Sequence, residues 1–323
     1  MQVTDNRMGL LGMIAMALCA GVALVSGIAR GETYPASKPA TTLAAPEGVF
    51  DDDAMPDKGA EPEKDSPVRV GVVVSHFTAT GPSPLPRKYG FGHIWIADML
   101  RHSAVDCYAL VEPDAVGDHE QERYLARYFT PEKVLDGTDV DVLRQLDVIV
   151  FFHVFNLNDQ MLASVHQAVS EGVGLLNVMA GGSHTPGRDS ALVLDLMGLS
   201  DARGMAGNLA QEVEVVGDDP LLSAIPADAQ WTCKPAGIGG TFKEGAVPLL
   251  RSRTADGSEP AEGEEFYPLY RARLGEGQLL VCNWYGLPAC VKELEDEHFY
   301  VRCVRRLAAL REAAPAAREP ERP

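Results

Sequence analysis

The run 147-DVIVFFHVF-155 decides the fold together with the residues that follow it. It has strand length and is rich in β-branched and aromatic residues, which is typical of a strand covered on both faces. Apolar residues from Met161 to Val169 then recur at helical spacing, and Gly172 is placed to end that helix. A second apolar run, 174-GLLNVMA-180, leads into the Gly-rich loop 181-GGSHTPG-187. The order predicts a β-α-β unit whose Gly-rich loop lies at the carboxyl end of the sheet, where open α/β folds bind ligands.

Further elements on both sides of this unit predict a complete sheet. Val68–Ser75 and Val105–Val111 are apolar runs of strand length, separated by a helical pattern from Phe91 to Arg101. Beyond residue 210, short strand-like runs alternate with Gly, Pro and Asp turns, and apolar positions from Phe299 to Leu310 predict a closing helix. We therefore predict an α/β fold, a doubly wound parallel sheet with a C-terminal antiparallel extension and that closing helix.

The two ends of the chain differ in composition from this central domain. Residues 9–29 carry no charge and are flanked by arginines, so 1–30 is predicted to be a signal peptide or a signal-anchor helix. Residues 31–67 are rich in Ala and Pro and then in acidic residues, which predicts a disordered tether. The folded domain is predicted over 68–311 and a disordered tail over 312–323. Either form of the leader implies export, to the periplasm or to the extracytoplasmic face of the cytoplasmic membrane. The chain would stay attached to that membrane if the leader is uncut.

The net charge argues against nucleic-acid binding, and the cysteine spacing argues against a zinc-ribbon or CxxC site. A net charge of −18 argues against nucleic acid, because binding there depends on clusters of Lys and Arg that neutralise phosphates. The six cysteines show neither a CxxC pair nor zinc-ribbon spacing. Cys282 and Cys290 would be able to pair with each other after export or to remain thiols.

Four stretches give the chain a resemblance to a known superfamily. They are the first strand with its loop, the unit from Asp147 to Ala180, the segment 219-DPLLSAIP-226, and the strand 275-GEGQLLV-281 before the closing helix. Together they resemble the class I glutamine amidotransferase-like superfamily, especially its ThuA-like (trehalose-utilisation-like) branch, over about residues 68–310. The resemblance implies a flavodoxin-like sheet.

The residues that perform amidotransferase chemistry in that superfamily are missing from this chain. Members that hydrolyse glutamine carry a cysteine nucleophile on the turn after the strand equivalent to Gly174–Ala180, but here the turn reads 178-VMAGGSH-184. Ser183 is the only hydroxyl nucleophile in that turn, and it lacks the second glycine of a Gly-x-Ser-x-Gly elbow. The last third of the chain has no His-x-Glu sequence to complete a triad. Glutaminase activity is therefore not expected.

Histidines form the better candidate site. His76 follows the first strand, His153 is near the end of the central strand, and His184 lies in the Gly-rich loop. If these strands are neighbours, the three imidazoles would meet at the carboxyl edge. They would bind a divalent metal there, transfer protons or contact a sugar hydroxyl. His93 begins the first predicted helix and is a fourth candidate.

We assign no catalytic residue from the sequence, and His76, His153, His184 and Ser183 are candidates only. The predicted ligand-binding residues are His76, His93, His153, Gly181, Gly182, Ser183 and His184, with Asn177 and Asp189 as supporting partners. The candidate metal ligands are His76, His153 and His184.

Two functional classes follow from these observations. The first is a binding or scaffold module for a small polar ligand, such as a carbohydrate, or for an envelope protein partner. The second is a ThuA-like enzyme of carbohydrate metabolism that uses histidine acid/base or metal-assisted chemistry. The absence of the cysteine favours the first class.

Overall fold

The computed structural model describes the central domain with gaps. It covers residues 67–74, 97, 100–112, 129–152, 154, 157–178, 191–201, 203–206, 211–225, 231–233, 236–254, 267–283, 287, 291 and 297–316. The predicted leader and nearly all of the predicted tether lie outside these residues. Both therefore stay predictions.

Ten of the described strands form one mixed sheet. In chain order they are β1 (Val68–Val74), β2 (Val105–Val111), β3 (Val134–Asp136), β4 (Val148–Phe152), β5 (Gly174–Val178), β7 (Gln211–Val215), β8 (Trp231–Cys233), β10 (Val247–Thr254), β11 (Leu269–Leu274) and β12 (Gly277–Cys282). Two further strands, β6 (Arg203–Ala206) and β9 (Ala236–Gly239), pair with each other in a small separate sheet.

The strand order identifies the fold. The sheet runs β3-β2-β1-β4-β5-β12-β11-β10-β7-β8. Strands β1, β2, β4, β5 and β12 are parallel, and numbered among themselves they stand in the order 2-1-3-4-5. The fold is flavodoxin-like. Strand β3 extends this core at one edge, and β11, β10, β7 and β8 form the predicted antiparallel extension at the other.

One strand grouped with the extension by sequence belongs to the parallel core. β12 is antiparallel to β11 but parallel to β5, with Leu279 opposite Leu175 and Cys282 opposite Val178. Gly275 and Gly277 place this strand after a hairpin turn, but the run 277-GQLLVC-282 does not by itself show which strand lies on its other side.

Helices cover both faces of the sheet. They are α1 (Val140–Leu143), α2 (Asp159–Ser170), α3 (Ala191–Asp195) and α4 (Phe299–Ala316), with 3-10 helices at Pro131–Lys133 and Pro220–Ala224. Alternate residues of β4 divide between two cores, because side chains in a strand point to opposite faces. Val148, Val150 and Phe152 pack in the cluster that contains α4 residues. Ile149 and Phe151 pack in the cluster that contains α2 residues.

Local signals set both ends of α2. The Asn158 side chain accepts a hydrogen bond from the Met161 backbone N–H at 2.7 Å, as an N-cap does. The helix is followed by Gly172, whose φ of 118° is a conformation that favours glycine. The sequence prediction for this β-α-β unit is confirmed.

A buried carboxylate anchors helix α4. Asp219 accepts a hydrogen bond from the Leu221 backbone N–H and so caps the 3-10 helix Pro220–Ala224. Its side chain is fully buried and forms ion pairs with Arg271 of β11 at 3.2 Å and with Arg306 of α4 at 3.3 Å. The segment that contributes to the superfamily resemblance therefore holds three elements together.

Helix α4 also extends beyond the predicted domain boundary. It ends at Ala316, so the first residues of the segment predicted as a disordered tail, 312–323, are helical. Alanine and glutamate are strong helix formers, and the run 308-AALREAAPA-316 continues the helix beyond the last apolar position used for the prediction. Residues 317–323 lie outside the described part of the chain.

Candidate functional site

The strands that precede the candidate histidines are neighbours. β1 pairs in parallel with β4, with Val72 opposite Val150, and β4 pairs in parallel with β5, with Phe152 opposite Val178. The carboxyl ends of three successive strands of the sheet therefore lie side by side. This is the condition on which the predicted site depends, and the structure meets it.

Five connections leave the parallel core from this carboxyl edge. Residues 75–96 follow β1, 112–128 follow β2, 153–158 follow β4, 179–190 follow β5, and 283–296 follow β12. The first, third and fourth of them contain every predicted ligand-binding residue: His76, His93, His153, Gly181, Gly182, Ser183 and His184. Each of these residues, and Asp189, lies outside the described residues. Their side-chain roles therefore stay predictions.

The opposite, amino edge is closed by short turns and ion pairs. The Arg144 guanidinium donates to the Glu171 carboxylate at 2.9 Å and joins α1 to the end of α2. Arg311 of α4 donates to the Leu146 carbonyl, and the Arg69 backbone N–H donates to the Asp147 carboxylate at 2.9 Å. In these contacts the polar groups of the amino edge bind other groups of the same chain. The carboxyl edge carries long connections, whereas the amino edge is closed by short turns, so the candidate site is expected at the carboxyl edge.

Two buried polar residues stand directly after parallel strands at the carboxyl edge. Glu112 follows β2 and is 2% exposed, and its Oε1 accepts a hydrogen bond from the Asn158 backbone N–H at 2.6 Å. Asn283 follows β12 and is also 2% exposed, and its backbone N–H donates to the Pro268 carbonyl at 2.9 Å. The sequence analysis missed Glu112, because a single acidic residue after a strand is no signal by itself.

Asn177 is fully buried on β5, and its Nδ2 donates to the Leu196 carbonyl at 3.4 Å. Its predicted role as a partner of a site histidine stays a prediction, because the candidate histidines lie outside the described residues. The Tyr270 hydroxyl donates to the neighbouring Met197 carbonyl at 3.0 Å, and burial raises the pKa of Tyr270 well above its ordinary value. Both side chains hold the turn that follows α3. They therefore fix the backbone at Leu196 and Met197, directly after α3.

An ionic cluster joins α3 to α2 and to the segment that contains Lys243. His166 Nε2 of α2 lies 2.8 Å from the Asp195 carboxylate, and Lys243 forms an ion pair with the same carboxylate. Desolvation raises the pKa of Asp195, but the hydrogen bonds from Lys243 and His166 outweigh it and leave the pKa lowered. No spacing in the sequence relates these three residues, because they come from three separate elements.

The described thiols are unsuited to nucleophilic catalysis. Burial raises the pKa of Cys107 to about 12 and that of Cys303 well above its ordinary value. Cys282 is fully buried on β12. These raised pKa values keep Cys107 and Cys303 protonated at neutral pH. Because the thiolate is the reactive form of cysteine, neither is an active nucleophile. Among the described residues, no group of three or more His, Cys, Asp or Glu side chains is arranged to hold a metal ion.

We expect the native protein to protect Cys107 and Cys303 from iodoacetamide at pH 7.5, with modification only after unfolding in guanidinium chloride. Peptide mass spectrometry of the two cysteine-containing segments measures this directly. Rapid modification of either thiol in the folded protein would contradict the raised pKa values, and for Cys303 it would also contradict its full burial, whereas Cys107 is half-buried.

An open depression of about 510 Å³ lies in the antiparallel extension, away from the parallel strands. It is lined by Val216, Gly217, Asp218, Val247, Pro248, Arg251 and Tyr267. Its charged lining consists of Asp218 and of Arg251, which donates to Glu214 at 2.8 Å. This surface contains no histidine and none of the residues that the sequence analysis selected.

Within the described part of the chain, no helix has the length and hydropathy needed to cross a membrane. The apolar segment 9–29 lies outside that part. Export and membrane attachment therefore stay predictions.

Comparison with known proteins gives distant structural likeness only. No family model matches the chain, and no curated protein matches it by sequence. A cytoplasmic protein, STM1381 of Salmonella typhimurium LT2, is similar with a TM-score of 0.44 and 12% identity, over 74% of this chain and 99% of that one. A ThuA-like protein of Bacteroides uniformis gives a TM-score of 0.39 and 10% identity, over 79% of this chain and 93% of that one.

A β-galactosidase from Bacillus circulans is similar to the same degree, with a TM-score of 0.41 and 12% identity. This chain corresponds to 31% of that enzyme's length. At these scores the fold assignment rests on the strand order, and function has to be argued from the residues.

Proposed function

We propose that the chain is an exported or membrane-tethered amidotransferase-like domain that binds a small polar ligand at the carboxyl edge of its parallel sheet and has no glutaminase activity. The observation that carries the proposal is the adjacency of β1, β4 and β5. It brings the connections with His76, His153 and His184 to one edge of the sheet. In open α/β sheets this edge is where ligands bind.

The residue types in these connections suit an uncharged, hydroxylated ligand. An imidazole both donates and accepts hydrogen bonds at neutral pH, and glycines such as Gly181 and Gly182 let the backbone approach a ligand closely. A carbohydrate presents hydroxyl groups of matching chemistry.

The thiols support a role without amidotransferase catalysis. The turn 178-VMAGGSH-184 contains no cysteine, and the pKa values of Cys107 and Cys303 are raised by burial. The cysteine nucleophile on which the superfamily's glutaminase mechanism depends is therefore missing from that turn.

A screen of the purified full-length protein tests the proposal. Thermal unfolding is measured with a panel of neutral sugars and divalent metal ions, and bound metal is determined by elemental analysis. We expect at least one ligand to raise the melting temperature, because a ligand at one hundred times its Kd adds about 2.7 kcal/mol of stability. The variants His76→Ala, His153→Ala and His184→Ala should reduce that rise.

His102→Ala is the matched control, because His102 stands in the turn before β2 at the amino edge. It should leave the ligand response unchanged. A response that is lost in H102A and kept in the other three variants would contradict the proposal. No response to any sugar or ion would also contradict it and would favour a protein partner instead.

The same screen separates a binding module from an enzyme. Stoichiometric metal held by two or more of His76, His153 and His184, or turnover of a sugar that stops in these variants, would assign histidine acid/base or metal-assisted chemistry to this edge. Reversible binding without turnover is the result that our proposal expects.

A further inference from the structure

Two arginines share one buried carboxylate beside helix α4. Arg271 Nε of β11 lies 3.2 Å from Asp219 Oδ2, and Arg306 of α4 donates from Nε and Nη2 to the two oxygens of the same carboxylate at 3.3 Å. The Asp219 side chain is fully buried, whereas 25% and 26% of the Arg271 and Arg306 side chains are exposed. The two guanidinium groups are therefore neighbours that share a buried partner and are partly exposed to solvent.

The charges of this cluster do not balance. Arg271 and Arg306 bring two positive charges, and Asp219 supplies one negative charge. The adjacent Asp218 is exposed to solvent, where its charge is screened, and Glu297 near the start of α4 is already paired with two other arginines. One further negative charge would neutralise the cluster.

The two guanidinium groups also keep donors for such a charge. Among the described contacts, the Arg271 side chain meets Asp219 through Nε, and Arg306 uses Nε and Nη2. Both terminal nitrogens of Arg271 and Nη1 of Arg306 therefore have N–H groups to donate. Guanidinium groups bind carboxylates through such paired donors, and they do so better than an ammonium group of the same charge.

Exposed valines lie beside the same cluster. Val247 is directly opposite Arg271 in the pairing of β10 with β11, so the two side chains share one face of the sheet, and Val247 is 40% exposed. Val215 and Val216, a few residues before Asp219, are 49% and 43% exposed. These three are the exposed large hydrophobic residues of the described part of the chain. Cationic donors next to exposed apolar side chains match a ligand with a carboxylate at one end and an apolar chain at the other.

We propose that Arg271 and Arg306 bind the carboxylate of a small amphiphilic acid, whose apolar chain contacts Val247. Asp219 is a positioning residue, because it holds both guanidinium groups in place before the ligand arrives. The site is formed by β10, β11 and α4 and uses none of the connections at the carboxyl edge. It is a second site, which goes beyond the proposed function and does not depend on it.

Hexanoate and acetate are the probes, because they share the carboxylate and differ in the apolar chain. The full-length protein, labelled with nitrogen-15 arginine, is titrated with each sodium salt at constant ionic strength. The side-chain Nε–H resonances are followed by NMR and assigned with single Arg→Lys variants. We expect saturable shifts at Arg271 and Arg306, with hexanoate bound about tenfold more tightly than acetate, because part of its chain is buried against the valine.

Two substitutions separate the parts of the site. Arg306→Lys keeps the positive charge beside Asp219 but loses the planar fork, and it should weaken hexanoate binding about tenfold, as read at Arg271. Val247→Ala shortens an exposed side chain, and it should lower the affinity for hexanoate towards that for acetate. Circular dichroism confirms that both variants are folded.

Arg144→Lys is the matched control. Arg144 follows α1, whose Leu143 packs on the face of the sheet opposite to α4, and its own carboxylate partner is Glu171. R144K should bind hexanoate and acetate as the wild type does, and the Arg144 resonance of the wild type should not move.

Three results would overturn the inference. The first is a shift that grows without saturation and is equal at Arg144, since this indicates nonspecific ion pairing. The second is saturable binding that R306K leaves unchanged, which would place the carboxylate elsewhere. The third is equal affinity for hexanoate and acetate, which would mean that the valine takes no part. These results are independent of the sugar and metal screen, whose failure would instead reject the proposed function.

Discussion

Replacing Asp219 with alanine should lower the free energy of unfolding by about 3 to 5 kcal/mol, the range observed when one partner of a buried ion pair is removed. The change leaves Arg271 and Arg306 without the carboxylate that both contact at 3.2 to 3.3 Å. It also removes the hydrogen bond to Leu221 N–H that caps the 3-10 helix. Urea unfolding followed by circular dichroism measures the difference.

Asp218→Ala is the matched control, since Asp218 is the exposed neighbour of Asp219. It should change stability by no more than about 0.5 kcal/mol, as surface substitutions generally do. Equal losses in the two variants would show that Asp219 does not anchor α4.

Gly277→Ala should be almost as damaging, with an expected loss of about 3 kcal/mol, at the upper end of the cost of overpacking. A Cβ at this position would lie 2.8 Å from the Val173 carbonyl oxygen and would overlap the Val169 carbonyl oxygen as well. Both atoms belong to the backbone, one in the last turn of α2 and one in the turn between α2 and β5, so neither is able to rotate away. The free energy of unfolding from urea titration is the measured quantity.

Gly245→Ala provides the comparison for G277A. A Cβ at Gly245 meets no atom within 4 Å, but its φ of +83° is strained for alanine. We expect a loss of about 1 kcal/mol there. A larger loss in G245A than in G277A would mean that close packing against α2 is not what requires Gly277.

Continuous apolar runs for the strands and helical spacing of apolar residues for α2 made the parallel core predictable. The runs at 147–155 and 174–180 contain the residues of β4 and β5, and Asn158 and Gly172 mark the two ends of α2. These signals are local in sequence, because they depend on the length of an apolar run, on a helix cap and on the backbone conformation of one glycine. The described parallel pairing of β4 with β5 runs from Val148 opposite Gly174 to Phe152 opposite Val178, within these two runs.

Contacts between distant segments were not predictable in the same way. The Asp219–Arg306 pair joins residues 87 positions apart, and Glu112 meets Asn158 across a strand that neither belongs to. Nothing in the spacing of one sequence relates such residues, since the contact exists only after the sheet has formed. For the same reason β12 was grouped with the extension although it pairs with β5.

The sequence predicted the edge of the sheet at which the candidate site lies, but not the contacts that its side chains make. The sequence indicated which strands precede His76, His153 and His184, and the strand order confirms that those strands are adjacent. The contacts of these histidines, and the predicted support of them by Asn177, stay predictions, because the histidines lie outside the described residues.

Imidazole NMR of the histidine-labelled full-length protein tests the central claim most directly. A neutral sugar and zinc chloride are titrated separately, and the ring resonances are assigned with single His→Asn variants. We predict that one of these ligands shifts the resonances of at least two of His76, His153 and His184 and leaves that of His102 unchanged. Shifts confined to His102 or to other histidines, with these three unmoved, would contradict a ligand site at the carboxyl edge.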